Sequence, residues 1–350
     1  MDRGMFEVTY FAMNTLFTSN YETLFDQFSN YRKIISDRQY SSRNNGAPVI
    51  AHPDHPDYAY GYGPQSQDVL IPAFLAAYTG VNPDQVSLNI YDDIGAIDYL
   101  PRPNWRAEFN LNRFSFLKDI FSSFKITNGY KSTLKVASVQ TDLNFVNSPV
   151  AVDDNEKNYY SEYIIPSMVL DERFEPVIGI DVKTKSDLSF RVEYKKSRML
   201  LLSQKSLQQT RSEEFVFNFG YIVKNVYIPF LTKKPKKNKR GKKTKPVDNL
   251  GKTGGRKSKR AKNNLRDLRI SVDFSIRDNE VKEYLFDSGR NGKPTHGNYR
   301  VSLTPTMEYN ITDNFSLQAD FSYDKTVPYV NNSYPTTNYR GTVTAKYSLK

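Results

Sequence analysis

"NFSLQADFSYD", residues 314–324, alternates without a break. Phe315, Leu317, Ala319, Phe321 and Tyr323 are apolar, and Ser316, Gln318, Asp320 and Ser322 between them are polar. A period of two sends successive side chains to opposite faces of a β-strand. The same pattern runs through "LRISVDFSIR" (268–277) and "YRGTVTAKYSLK" (339–350). It recurs with more noise at 299–309, 215–223, 188–194, 174–182, 105–111 and 6–16. In 122–145 the apolar phase moves from even positions (Phe124, Ile126, Leu134, Val136) to odd ones (Val139, Leu143, Phe145). One extra residue near Ala137, a bulge, would produce that shift. The segments amount to about ten strands. Pro305 lies mid-strand on an apolar face and removes a ladder donor, which predicts a bulge or an edge position there. Helical spacing appears at 21–42 (Leu24, Phe25, Phe28, Tyr31, Ile34, Ile35), at 67–79, and for a turn or two at 113–121.

Alternating strands build soluble sandwiches as well as membrane barrels. Three features favour a barrel. Aromatic residues sit at both ends of the apolar faces: Tyr299 and Tyr309, Phe315 and Tyr323, Tyr339 and Tyr347. Strands of that length, tilted, cover roughly 20–25 Å of height, close to an outer-membrane apolar band. The polar faces carry charge in mid-strand. The connections alternate between long (18–103, 146–173, 199–213, 278–298, 326–338) and short (112–121, 184–187, 310–313), with 230–265 the exception in the short set. The expectation is therefore an all-β antiparallel transmembrane barrel segment, part of a very large barrel. It comprises a barrel strand in 1–17, an extracellular cap with short helices in 18–102, and barrel strands in 103–350. The lumen-facing residues are expected to be Arg191, Glu193, Lys195, Arg269, Asp273, Arg277, Asp320, Arg340 and Lys346. The lipid-facing and girdle residues are expected to be Trp105, Phe217, Tyr299, Tyr309, Phe315, Phe321, Tyr323, Tyr339 and Tyr347.

The net charge of +11 misleads unless it is located. Residues 232–264 hold 15 Lys and Arg and one Asp, which leaves 34 basic against 37 acidic residues elsewhere. Lys233, Lys234, Lys236, Lys237, Lys239, Arg240, Lys242, Lys243 and Lys245 open that run. A nucleic-acid footprint should spread over a folded face, so the run reads as a disordered basic loop between two strands. It is expected to be a solvated insertion, with an electrostatic contact to anionic lipid, acidic cargo or a partner as the alternative. No cysteine is present, which excludes disulfides and thiolate chemistry. The opening "MDRGMFEVTYF" lacks the charge and apolar run of a signal peptide, and no apolar stretch is long enough for a transmembrane helix.

Catalytic signals are weak. "HPDHPDY" (52–58) gathers His52, Asp54, His55 and Asp57, but its Pro-rich setting favours an exposed turn over a metal site. "GKTGG" (251–255) has Pro246 where a phosphate loop needs glycine. The expectation is no enzyme, no cofactor and no metal.

Several long motifs carry a family resemblance: "YGYGPQSQDVLIPAFLAAYTGVNPDQVSLN" (60–89), "LPRPNW" (100–105), "FKITNGYKSTLKVASVQTDLNF" (124–145), "FEPVIGIDVKTKSDLSFRVEYKKSR" (174–198), "LRISVDFSIRDN" (268–279) and "YVNNSYPTTNYR" (329–340). Together they resemble the C-terminal part of the SprA/Sov family, the outer-membrane translocons of the Bacteroidota type IX secretion system. The resemblance implies a gated pore in the outer membrane that conducts folded cargo to the cell surface, with gliding motility in some members. Its implied partners are the rest of the translocon barrel, cargo with C-terminal sorting domains, a PorV-like shuttle, a plug protein and outer-membrane lipid, with no nucleic acid. Family members are several times longer, so this chain is expected to be a fragment or split product that does not conduct alone. An ordinary porin or nutrient transporter is the alternative, and a soluble nucleic-acid binder using the basic run is a third reading.

Overall fold

A computed structural model describes residues 3–9, 12–18, 21–89, 104–226, 228, 266–286, 294–312, 314–330 and 333–348. Among these residues, eleven strands form one antiparallel sheet: β1 (Arg3–Val8), β2 (Trp105–Asn110), β3 (Phe121–Thr141), β4 (Tyr163–Ile164), β5 (Ser167–Thr184), β6 (Leu188–Ser203), β7 (Ser206–Val226), β8 (Arg266–Leu285), β9 (Pro294–Asn310), β10 (Phe315–Pro328) and β11 (Thr336–Tyr347). The spatial order is β1-β3-β5-β6-β7-β8-β9-β10-β11, with β2 and β4 also paired to β3. Among the described residues five α-helices accompany them: α1 (Met13–Leu16), α2 (Tyr21–Arg43), α3 (Gln67–Thr79), α4 (Ser115–Lys118) and α5 (Leu143–Asn147).

The barrel expectation is corrected here. β1 and β11 end the order, and no pairing joins them among the described residues. The sheet is open. Alternation assigns side chains to two faces, but it says nothing about whether the first strand meets the last, because the period is the same in open and closed sheets. An open sheet encloses no lumen, so the pore reading loses its basis. The outer-membrane placement rested on closure too, since lipid offers no partner to unpaired strand edges, and it falls with it. No described helix is long and apolar enough to cross a membrane.

Several local expectations are met. Opposite β1, the register steps from Gly4↔Val139 to Phe6↔Val136, so β3 carries an extra residue there, and Ser138 adopts φ 57°. That is the bulge expected near Ala137. Pro305 behaves differently. It sits inside the sheet on β9, opposite Val272, with no shift of register. The β9–β10 ladder runs to Asp320↔Thr306 and resumes at Tyr323↔Leu303, a gap where the missing N–H falls.

The strands are also longer than their apolar windows. β7 spans 21 residues and β8 20. The expected long connection 199–213 is in fact strand, turning tightly between Ser203 and Ser206. These extensions read as loops because their inward residues are polar or mixed: Lys196, Arg198, Gln209. Helical cover, not apolar sequence, buries them.

That cover is α1–α3. α3 is buried from Val69 to Thr79, as a helix apolar on all sides must be. Pro72 deprives the Asp68 carbonyl of its helical donor, and the Gln39 side-chain amide of α2 donates to it instead at 2.9 Å. Gly80 ends α3 in the left-handed region, φ 72°. Against the sheet, Phe25 stacks on Tyr284 at 4.3 Å, and Leu134, Val136, Met168, Leu170, Leu200, Leu202 and Leu207 complete the core.

Candidate functional site

Ladder pairs share a face, so the register assigns every side chain. Arg191 pairs with Asn218, Asn218 with Asp273, and Asp320 with Thr342. Followed across the sheet, the nine residues expected to line a lumen all lie on one face. The nine aromatic residues expected to meet lipid all lie on the other. That second face is the one the helices cover: on β6 it runs Phe190, Val192, Tyr194, Lys196, Arg198, Leu200, Leu202, from half-buried to buried. Trp105 packs with Leu16, Tyr130 and Phe174 beneath α1. Tyr309 is buried, its hydroxyl donating to the Val226 carbonyl. Phe321, Tyr339 and Tyr347 lie beyond the helices and are exposed.

The polar face carries a belt of alternating charge. Arg191 bonds Glu193; Lys195 lies 3.4 Å from Glu193 and 3.7 Å from Glu214; Arg277 lies 4.0 Å from Glu214. Further along, Arg300 pairs with Asp324 at 2.7 Å and Arg269 with Glu308 at 3.5 Å. Asn218 donates to Asp273, and Thr306 and Gln318 both donate to Asp320. Those two bonds hold the Asp320 carboxyl below its ordinary range. Burial pushes Glu193 up, but the Arg191 bond and the two neighbouring cations outweigh it and leave its pKa lowered.

The belt ends on cations. β11 contains Arg340 and Lys346 and no acidic residue. Lys346 donates to the Gln318 amide oxygen at 2.6 Å. β11 is also the sheet's long edge. Its register with β10 is continuous from Phe315↔Tyr347 to Thr326↔Thr336. Ser348 N–H donates to Asn314 O at 2.8 Å, which points the even-numbered backbone groups toward β10. Strand alternation therefore turns Thr337, Tyr339, Gly341, Val343, Ala345 and Tyr347 outward, and among the described residues no strand pairs with their N–H and C=O groups. Tyr339, Val343 and Tyr347 are 66–71% exposed.

The opposite edge is blunt. It consists of the six-residue β1, broken by the β3 bulge, and the six-residue β2, which runs into a 3-10 turn. Short, irregular edges discourage pairing.

The other sequence candidates are dispersed or self-satisfied. His52 is buried and its Nε2 contacts the Glu156 carbonyl at 2.9 Å, while Asp57 pairs with Lys33 at 2.7 Å. Among the described residues no group of three or more His, Asp or Glu could hold a metal. A cleft of about 320 Å³ lies between α2, α3 and residues 160–163, lined in part by Gln39, Arg43, Gln67, Asp68 and Glu162. Gln39 is committed to the Asp68 and Leu88 carbonyls, and Gln67 to Tyr163 and Ile165. The run Lys233–Lys245 lies outside the described residues.

Sequence reading missed one internal site. Arg198 and Glu172, both fully buried, form an ion pair across β6 and β5. Tyr130 donates to Glu172 at 2.8 Å, and Arg198 donates to the Thr15 hydroxyl and carbonyl of α1 at 2.9 and 3.2 Å. Burial, followed by the Glu172 charge, raises the Tyr130 phenol. The only advance signal was a charged residue at an inward position of each strand.

No protein-family model matches the chain, and no curated protein matches it. The resemblance to the type IX translocons therefore has no support from either comparison, and the translocon assignment is withdrawn with the closed barrel. What fold and surface define is a class: an antiparallel sheet, open among the described residues, capped by helices at one end and ending in an edge strand that no described strand covers.

Proposed function

We propose that the chain is a β-scaffold that acts by recognition, receiving a strand of a partner polypeptide along β11. The observation that carries this reading is the free edge: six consecutive alternate residues present backbone groups outward over twelve residues of unbroken register. Strand addition supplies affinity through main-chain hydrogen bonds and specificity through alternate side chains. The charge belt states the partner's chemistry. On the polar face Arg269 meets Glu308 and Arg300 meets Asp324, whereas among the described residues no strand lies beyond Arg340 and Lys346. A fitting partner strand carries carboxylates opposite those two positions. It carries apolar or aromatic side chains opposite Tyr339, Val343 and Tyr347, extending both faces in kind. The work is done by a surface and involves no bond chemistry.

The test is a synthetic alternating strand peptide with two carboxylates six residues apart, titrated against the chain with amide exchange as the readout. Slowed exchange confined to the odd positions of 337–347 supports the reading. A peptide of the same composition with the charges reversed should bind about tenfold more weakly. Binding without protection of β11 would remove the proposal.

A further inference from the structure

A second surface, independent of the edge, lies at the end of the sheet away from the helical cap. Between β2 and β3 the chain makes a 3-10 turn (Leu111–Arg113) and then α4. The end of β2 and this short link expose Phe109 (61%), Phe114 (54%), Phe116 (68%) and Ile120 (58%). The turn is firmly built. The Asn110 side chain accepts from Asn112 N–H at 3.0 Å, Asn112 Nδ2 donates to Ser122 O at 2.7 Å, and Phe114 N–H donates to Leu111 O at 3.1 Å. The rings of Phe114 and Phe116 lie 6.0 Å apart. Apolar side chains held outward on a fixed turn have no burial to explain them within the described residues.

Cations surround them. Arg113 and Lys118 flank the rings in the turn itself and are exposed. Lys183 and Lys185, also exposed, are brought alongside by the β3–β5 register: Ser123 pairs with Lys183, Lys185 N–H donates to Ile120 O at 3.1 Å, and Ser122 Oγ donates to Lys183 O at 3.0 Å. Asp119 is the one carboxylate in the turn, while the nearby Glu108 is already engaged by Lys125 at 2.8 Å.

We infer that this tip docks on an anionic lipid surface. Protruding aromatic rings set among lysines and arginines are the chemistry of an interfacial anchor: rings enter the boundary between headgroups and acyl chains while the cations meet lipid phosphates. The positive excess selects an anionic surface, and the exposure of the rings suits a deformable layer they can enter. The mode is peripheral, since only a turn enters.

The experiment uses the full chain and vesicles of phosphatidylcholine with or without about one-third phosphatidylglycerol. The chain is expected to sediment with anionic vesicles and remain in solution with zwitterionic ones. Phe114→Ala with Phe116→Ala should weaken anionic binding by about tenfold or more. The double variant should keep the parent's thermal midpoint, because both rings are exposed. Phe116→Trp should shift its emission to shorter wavelength on anionic vesicles only. If the double variant binds as tightly as the parent, the chain's Lys and Arg alone account for the attraction and the tip is no anchor. Equal binding to both vesicle types, or concentration-dependent self-association in place of vesicle binding, would also overturn the inference.

Discussion

The two halves of the sheet are built from the same alternating strands and do opposite things with them. Under α1–α3, from β3 to the far end of β8, inward side chains are sealed: Leu134, Leu170, Leu200 and Tyr284 are at most 2% exposed, with the Arg198–Glu172 pair at the centre. From β9 to β11, only Tyr309 is buried among the described residues, and β11 is exposed at nearly every position. The first half closes on itself and ends in short, irregular strands. The second presents both faces and ends in a long regular edge. Burial in one half supplies the stability that lets the other remain a surface.

If this contrast is right, equivalent damage should weigh unequally. Arg198→Met strands the Glu172 carboxylate in the core and should cost about 3–5 kcal/mol in urea unfolding. Phe74→Ala, in fully buried α3, should cost about 3–5 kcal/mol. Phe321→Ala in the bare half, where the ring is 45% exposed, should cost less than about 1 kcal/mol. Comparable losses from Phe74 and Phe321 would erase the distinction between the halves.

Acid should act at the border between them. Glu213 sits beside Lys196 at 2.9 Å and accepts from Tyr194 at 3.1 Å. Burial pushes its pKa up, but the bond and charge of Lys196, with the Tyr194 bond, bring it below the ordinary value. A carboxylate depressed in the folded state contributes stability that is complete above its unfolded pKa, about 4.3, and lost as pH falls through the folded value. Stability should therefore be flat at neutral pH and decline below about pH 4, and Glu213→Gln should make that decline shallower. The smallest effect belongs to the edge itself. A side chain at Gly341 would meet nothing within 4 Å, so Gly341→Val should change stability by less than about 0.5 kcal/mol while stiffening the strand that receives a partner.

Much of this layout is legible in sequence. Period two separates Arg269, Asp273 and Arg277 from Leu268, Val272 and Ile276 without ambiguity, and the phase change around Ala137 locates a bulge. Helical spacing finds α2 and α3. The strand extensions are not legible, because Arg198, Lys196 and Gln209 look like loop residues until a helix covers them. Closure is not legible either. It is a relation between β1 and β11, more than 300 residues apart, and no local pattern encodes it. The girdle aromatics suggested a barrel because an apolar face looks alike whether lipid, helices or another strand covers it.

A recognition role for this sheet requires that β11 accept a strand. Val343 directs its backbone groups outward, while its neighbour Thr342 directs them to β10. Val343→Pro should leave the fold and its unfolding midpoint intact and abolish both peptide binding and the slowed amide exchange at 337–347. Thr342→Pro should instead damage the sheet. Full peptide binding by a folded Val343→Pro chain would contradict the account, because the strand would then be held somewhere other than the open edge.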